Sequence, residues 1–378
     1  LMMEDQLKFR FFNESVFLND EMVFEELNAA GLEFIPKHQN EEIWETLFCQ
    51  LHYQPINFSS EMIAYQHSYL ACSGGEVTDC SVILLSGGKV CGLFVLTSCT
   101  ESGVLSLTSC GQPIFEPVFV PGTPRKLKKR ICSLIINFIG GAGSLSHANV
   151  GVQQSSVNFS NNVGCSDWYQ KALSVGAIPN LRYDLYVDLS LSMDEIRSNF
   201  RKSYKPLINK GLREWGHSLI TYEDANQDIW DEFKALHEFV SGRVTRSAAT
   251  WILQWEMLLA GKAFLVIIRD LSDERLVGGA FFQHSKHESL YSVAAYDRAL
   301  NSKPLGHIAQ QLAIEYMKSI GVVWYKIGER LYSQLSENSS SKELDISSFK
   351  EGFASNMLAK ADFIIPFELN NQMKIPNP

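Results

Sequence analysis

Residues 288–330 read ESLYSVAAYDRALNSKPLGHIAQQLAIEYMKSIGVVWYKIGER, a strand, a loop, an amphipathic helix and a second strand. Positions 290–296 are aromatic and β-branched at intervals, as in a short strand. After a Pro-Leu-Gly-His loop, apolar side chains recur at Leu305, Ile308, Ala309, Leu312, Ala313, Tyr316 and Ile320. That is one face of a helix with 3.6 residues per turn. Gly321 follows where a helix C-terminus takes a left-handed residue, and 322–327 is a second buried-strand pattern. Gly306 at the helix start leaves backbone N–H groups for an anion, usually a phosphate. The plainer reading of the same glycine is a turn.

Outside this stretch, one plan occurs twice. Residues 81–85, the turn Ser86-Gly87-Gly88-Lys89 and residues 90–96 read as a hairpin. So do 263–268, 269–274 and 276–282. Each hairpin is followed by another strand (104–109; 290–296), an irregular loop and a helix (125–139; 306–320). An α/β (α+β) chain of 378 residues suits two units of this kind. We divide it into 1–185 and 186–378, with the active site expected in the second.

Composition narrows the class. A 46% hydrophobic, 20% charged chain is ordinary for a globular protein. The net charge of −9 argues against a general binder of nucleic acid or anionic membranes, and so does not support tRNA as a partner. No apolar run approaches the roughly 20 residues of a membrane helix, so no integral membrane contact is expected. Glu4 and Asp5 interrupt any basic-then-apolar signal pattern. The eight cysteines form no CxxC pair, and Cys91, Cys110 and Cys132 sit in apolar patterns as small hydrophobes. This predicts a reduced, cytoplasmic protein without a zinc or other metal site.

Between the two units, 183–189 reads as a strand leading into SMDEIRSNFRKSYKPLINKGLREWG. Ser192 and Glu195 have the spacing of a capping box. Arg197, Arg201 and Lys205 then recur at i, i+4 and i+8 beside the apolar stripe Ile196, Phe200, Tyr204 and Ile208. With Lys202, Lys210 and Arg213, six cations stand within 17 residues. They form a positive field suited to a phosphate or pyrophosphate, or else a solvated helix face. Pro206 should kink or end the first helix.

The second half resembles the FemAB-type branch of the GNAT acyltransferase superfamily. The matching segments are the basic helix pair with KGLREWG, then FVSGRVTRSAATW, LVGGAFF, YSVAAYDR, the block from Pro304 to Glu329, and ISSFKEGFA. The first half, with YQHSYLA, its hairpin and LTSCGQPIFEPVF, resembles the first domain of the same tandem proteins. The resemblance covers roughly residues 40–365. It implies two tandem GNAT-like domains, each a mixed sheet flanked by helices. It also implies transfer of an acyl or aminoacyl group onto an amine, from acyl-coenzyme A or aminoacyl-tRNA. Acceptors among such proteins include amino sugars and nucleotide- or lipid-linked glycan precursors of the cell envelope. Acetyl-coenzyme A enzymes carry an Arg/Gln-x-x-Gly-x-Gly/Ala loop, whereas here Arg298 is followed by ALNSKPLGH. A pyrophosphate would then rely on fewer amides plus Lys303 and His307. No long coiled-coil arm, frequent in tRNA-dependent relatives, is present.

Amide formation needs a neutral amine and a stabilised oxyanion. Candidates stand at strand ends: Tyr296, Asp297 and Arg298 after one strand, Glu329 and Arg330 after the next, and His307 at the intervening helix start. The resemblance implies that these strand ends splay into a crevice. Glu329 is the first candidate for a base or acceptor-positioning carboxylate, against a surface ion pair with Arg330 or Lys326. His307 binds phosphate, caps the helix or is a core histidine, and Asp297 reads as a turn residue. Arg243 and Arg246, three apart in a loop, suit bidentate binding of phosphate or carboxylate, or are two solvated charges. Lys350 follows Phe349, and the resemblance puts such a Phe-Lys pair beside the reacting centre. There it would neutralise a donor phosphate or the oxyanion; otherwise it is an exposed lysine. Glu329, Lys350 and His307 are therefore the catalytic candidates. Arg201, Lys205, Arg243, Arg246, Tyr296, Arg298, Gly306 and Arg330 are the binding candidates. The rival readings are an acyl-coenzyme A N-acyltransferase for a soluble small molecule and a non-catalytic ligand-binding module.

Overall fold

Nine strands from both halves form one sheet in the computed structural model, which describes residues 20–72, 74–101, 104–141, 150–153, 166–334 and 339–365. Its order is Gly216–Ile220, Ala263–Arg269, Leu276–His284, Glu288–Tyr296, Trp324–Glu329, Ile178–Asp188, Asn356–Ile365, Val150–Gln153, Ile114–Phe115. Neighbours are antiparallel except at two places. Glu288–Tyr296 runs parallel to Trp324–Glu329, and Ile114–Phe115 parallel to Val150–Gln153. The intervening Leu305–Ser319 helix makes the first of these a β-helix-β crossover.

Helix Leu305–Ser319 buries Leu305, Ile308, Ala309, Ala313 and Met317 against Phe264, Val266, Phe282 and Ile327 of the sheet. The opposite face carries helices Gln227–Ser241 and Ala248–Leu259, whose Trp230, Phe233 and Trp251 meet Leu265, Phe281 and Val293. Ile56, Met62 and Tyr65 from the first half join that same core, which ties the halves together.

The first half keeps the hairpin Val82–Ser86 and Lys89–Phe94 in a separate four-stranded sheet. Here the repeated plan diverges. Val104–Thr108 pairs with Thr97–Glu101 in a three-stranded sheet instead of joining the hairpin. The first-half core gathers around helix Arg125–Gly141 and also takes in Phe363 and Ile365 from the far end of the chain.

The expected single face of Arg197, Arg201 and Lys205 does not form. Helix Met193–Asn199 has its Ser192–Glu195 capping box, but it ends at buried Phe200, which is extended (φ −63, ψ 144). A second helix, Tyr204–Glu214, starts beyond it. Pro206 sits in the first turn of that second helix, where its missing N–H costs nothing. In a continuous helix its ring would strike the Lys202 carbonyl, so the break comes before the proline rather than at it. Among the described residues no helix is long and apolar enough to cross a membrane, and seven cysteines are free thiols, Cys165 lying outside the described residues.

Candidate active site between splayed strands

The parallel pairing of Glu288–Tyr296 with Trp324–Glu329 lasts only three positions: Glu288 with Trp324, Ser289 with Tyr325, Leu290 with Lys326. Beyond them both strands carry a bulge against their antiparallel neighbours, at Ser292 and at Ile327. An extra residue bends a strand, and here the two bend apart. Beyond Leu290 no strand pairs with the freed edge of the first strand among the described residues.

Two cavities meet at this fork. One, of about 440 Å³, lies between the freed edge, the start of helix Leu305–Ser319 and helix Ser341–Glu351. Its walls are largely apolar, with Tyr296, Leu305, Ile346 and Phe349 among them. The other, of about 230 Å³, lies between the halves and is polar, with Gln112 and Gln153 facing Arg182, Lys326 and Lys360. Tyr291 lines both.

Lys350 stands at the fork. It lines the apolar cavity, and its ammonium lies 5.4 Å from the centroid of the Tyr291 ring. It packs on Gly328, where a Cβ would fall 2.8 Å from the Lys350 Nζ and 2.7 Å from its Cδ. Gly328 has φ 154, which disfavours a side chain there, and one would also push the Lys350 chain aside. Burial, and then Lys326, lowers the Lys350 ammonium below the usual lysine range. A desolvated cation is costly unless something pairs with it. No carboxylate lies within ion-pair distance of Lys350 among the described residues.

The N–H groups of His307 and Ile308 both donate to the Pro304 carbonyl (3.0 and 3.1 Å). This leaves those of Leu305 and Gly306, which line the apolar cavity. The His307 ring packs edge-on to Tyr204 and Phe349 (centroids 4.4 and 5.0 Å) and its buried Nε2 has no hydrogen-bond partner. Burial, with Arg201 adding to it, pushes His307 down to about 4. The ring is therefore neutral at pH 7. Because this folded value lies below that of an unfolded histidine, its stabilisation is complete above about pH 6.5 and is lost as pH falls towards 4. NMR should show no titration of His307 between about pH 5.5 and 8. A ring titrating near 6.5 would overturn the aromatic-cage account.

Fully buried Asp184 does not itself line the polar cavity but is the hub of the cations that do. Lys326 (2.7 Å), Lys360 (3.5 Å) and Arg182 (3.8 Å) surround it. Burial pushes its carboxyl up, but the three cations together hold it below the usual range. Glu288 accepts from the Tyr53 hydroxyl (2.6 Å) and the Ile56 N–H (2.9 Å), joining first-half residues to the fork. Arg182, Asp184, Glu288, Lys326 and Lys360 were not expected site residues. Their signal was present as charges at alternate positions of an apolar strand, Arg182 and Asp184, and again Lys360 and Asp362.

The sequence candidates divide. Lys350, His307, Gly306 and Tyr296 line the apolar cavity together. Gly306 lies so close to Phe349 that a Cβ would be 3.1 Å from its Cζ. Glu329 follows Gly328 but lines neither cavity; it is half-buried, and burial raises its carboxyl although Arg182 and Lys326 pull it down. Arg201 and Arg330 act as clamps and line neither cavity. Arg201 donates to the Ser348 carbonyl (3.0 Å) and Arg330 to Glu351 (3.0 Å) and Ser347 (3.1 Å), so both fasten the helix that carries Lys350. Arg246 donates to the Tyr65 hydroxyl and lies over the Tyr69 ring. Arg243 and Arg298 are exposed, Lys205 is half-exposed, and none of them lines either cavity. Arg201 and Lys205 were picked from a run of cations, Arg243 and Arg246 for their loop spacing and Arg298 for its place after a strand, and none of these signals locates where the sheet opens.

The fold, a mixed sheet with a helix crossover and a second sheeted unit, is similar to that of several solved structures. The structure of FemX is similar over 88% of this chain and 96% of its own, at 11% identity and a TM-score of 0.58. The C-terminal domain of a putative lysylphosphatidylglycerol synthetase from Agrobacterium fabrum is similar over 94% and 96%, at 11% identity and a TM-score of 0.54. A conserved protein of unknown function from Bacteroides thetaiotaomicron is similar over 88% and 98%, at 11% identity and a TM-score of 0.51. No family model matches the chain, and comparison with curated proteins found no match.

Proposed function

We propose that the chain is an N-acyl or aminoacyl transferase. It forms an amide on an amine-bearing sugar or a nucleotide- or lipid-linked glycan precursor, in the cytoplasm. The observation that carries this reading is Lys350, a half-buried ammonium without a carboxylate partner among the described residues, where an apolar and a polar cavity meet. The donor, acyl-coenzyme A or aminoacyl-tRNA, would lie in the apolar cavity, its phosphate near the Leu305 and Gly306 amides and Lys303. Its carbonyl would reach the fork. The acceptor would enter from the polar side, held by Arg182, Lys326 and Lys360. Its amine attacks the ester or thioester carbon, the carbonyl oxygen becomes an oxyanion opposite Lys350, and collapse expels the donor's alcohol or thiol.

Glu329 is set back from both cavities, so its part would be electrostatic. Glu329→Gln should lower turnover by about tenfold, below the 100-fold expected on losing a general base. A larger loss together with a vanished acidic limb of the pH profile would return it to the role of base.

The reading is tested by a thermal-shift screen of the intact chain against acyl-coenzyme A species, UDP-linked amino sugars and aminoacyl-tRNA, followed by mass spectrometry for amide product. A ligand that binds only the folded state raises the melting temperature. A donor and an acceptor should each do so, and together yield product. Ligands that bind without ever yielding product would favour a non-catalytic module.

A further inference from the structure

A third cavity, of about 440 Å³, lies in the first half between residues 51–55, Glu116 and the start of helix Arg125–Gly141. Phe115 lines the polar cavity described above, while the next residue, Glu116, lines this one. The Glu116 N–H is spent on the Gln153 carbonyl (2.8 Å). Its carboxyl has no hydrogen bond or ion pair among the described residues. Burial pushes it up to about 7, with Asp167 adding to this and Lys128 opposing it. Glu116 is half-buried and lines the cavity.

The same cavity is lined by Arg125, Lys128 and Lys129. Asp167 takes up Lys129 (2.8 Å) and Arg125 (3.8 Å). Half-buried Lys128 has no carboxylate partner among the described residues, and its ammonium stands 5.7 Å from the centroid of the Phe119 ring. One acid and one base, neither in an ion pair among the described residues, thus face one space.

We infer that this cavity binds a small zwitterion, its ammonium on Glu116 and its carboxylate or phosphate on Lys128. A bare anion would leave Glu116 unpaired and be repelled by it. A bare amine would sit beside three cations. Only a ligand carrying both charges satisfies both residues. Tyr53 lines this cavity and donates to Glu288 (2.6 Å), which lines the polar one. A ligand here would therefore press on a wall shared with the proposed acceptor site.

Binding is read directly by calorimetry on the full chain at pH 8, independently of any transferase turnover. The probes are glycine and O-phosphoethanolamine, with ethanolamine and inorganic phosphate as single-charge controls. At least one zwitterion should bind, with both controls about tenfold weaker or more. Glu116→Gln and Lys128→Met should each weaken that binding by about tenfold; Glu116→Asp serves if the glutamine variant does not fold. The better zwitterion separates a carboxylate from a phosphate ligand. No zwitterion binding up to about 10 mM, phosphate alone binding as tightly, or affinity indifferent to both substitutions would overturn the inference.

Discussion

Lys350→Met should lower turnover by about 100-fold or more, some 3 kcal/mol of barrier, with the melting temperature almost unchanged. Methionine, one atom shorter, keeps most of the packing on Gly328 and removes the ammonium that lies over Tyr291. In the free protein that charge is already desolvated and unpaired, so deleting it costs the fold little and can even relieve it. In the transition state it would face a full negative charge in a poorly hydrated fork, where electrostatic stabilisation is strongest. The effect should fall on turnover rather than on substrate affinity, since the ground-state carbonyl carries little charge. Steady-state kinetics and a melting curve on the same preparation decide it. Turnover within about threefold of the parent would strip Lys350 of its role and leave the fork a binding site.

The second large effect is on stability. Gly352→Ala should cost about 3 kcal/mol and lower the melting temperature by roughly 5–10 °C. Gly352 is in the ordinary helical region (φ −64, ψ −11), so the backbone itself would accept alanine. The obstacle is Tyr204, whose Cε2, Cζ and hydroxyl would lie 2.3, 2.6 and 2.7 Å from the new Cβ. Tyr204 cannot yield easily. Its hydroxyl donates to the Phe349 carbonyl (3.1 Å), and its ring is packed between His307 and Phe353 (centroids 4.4 and 4.8 Å). Any displacement is therefore passed to His307 and the wall of the apolar cavity. A melting temperature within about 2 °C of the parent would show that this aromatic group is softer than its packing implies.

Local patterns recovered most of the elements and few of their partners. The stretch 288–330 was read as strand, helix, strand, and Glu288–Tyr296, Leu305–Ser319 and Trp324–Glu329 follow it within two residues at each boundary. Both hairpins were legible because alternation and turn glycines are local. The strand Asn356–Ile365 was missed, although its pattern alternates, because its significance lies in pairing with Ile178–Asp188, far away in sequence. The polar cavity was missed for the same reason. Lys326, Lys360 and Arg182 converge on Asp184 through cross-strand register, which no single segment encodes. Lys350 and His307, to which the resemblance and the helix start pointed, line one cavity. Arg201 and Arg330 fasten the helix that carries Lys350, a part that sequence does not distinguish from ligand binding, because a clamp and a ligand-binding arginine look alike until their partners are known.

The strand Asn356–Ile365 bears on how the chain is made. It pairs along Ile178–Asp188, then with Val150–Gln153, and contributes Phe363 and Ile365 to the first-half core. On a ribosome the first half must therefore wait, its apolar centre unsealed, until about 200 further residues have been synthesised, some tens of seconds at ordinary elongation rates. A pairing so distant in sequence is also slow to form. A nascent chain halted before residue 356 should be a chaperone client, and release of its first half from the chaperone should coincide with emergence of that last strand.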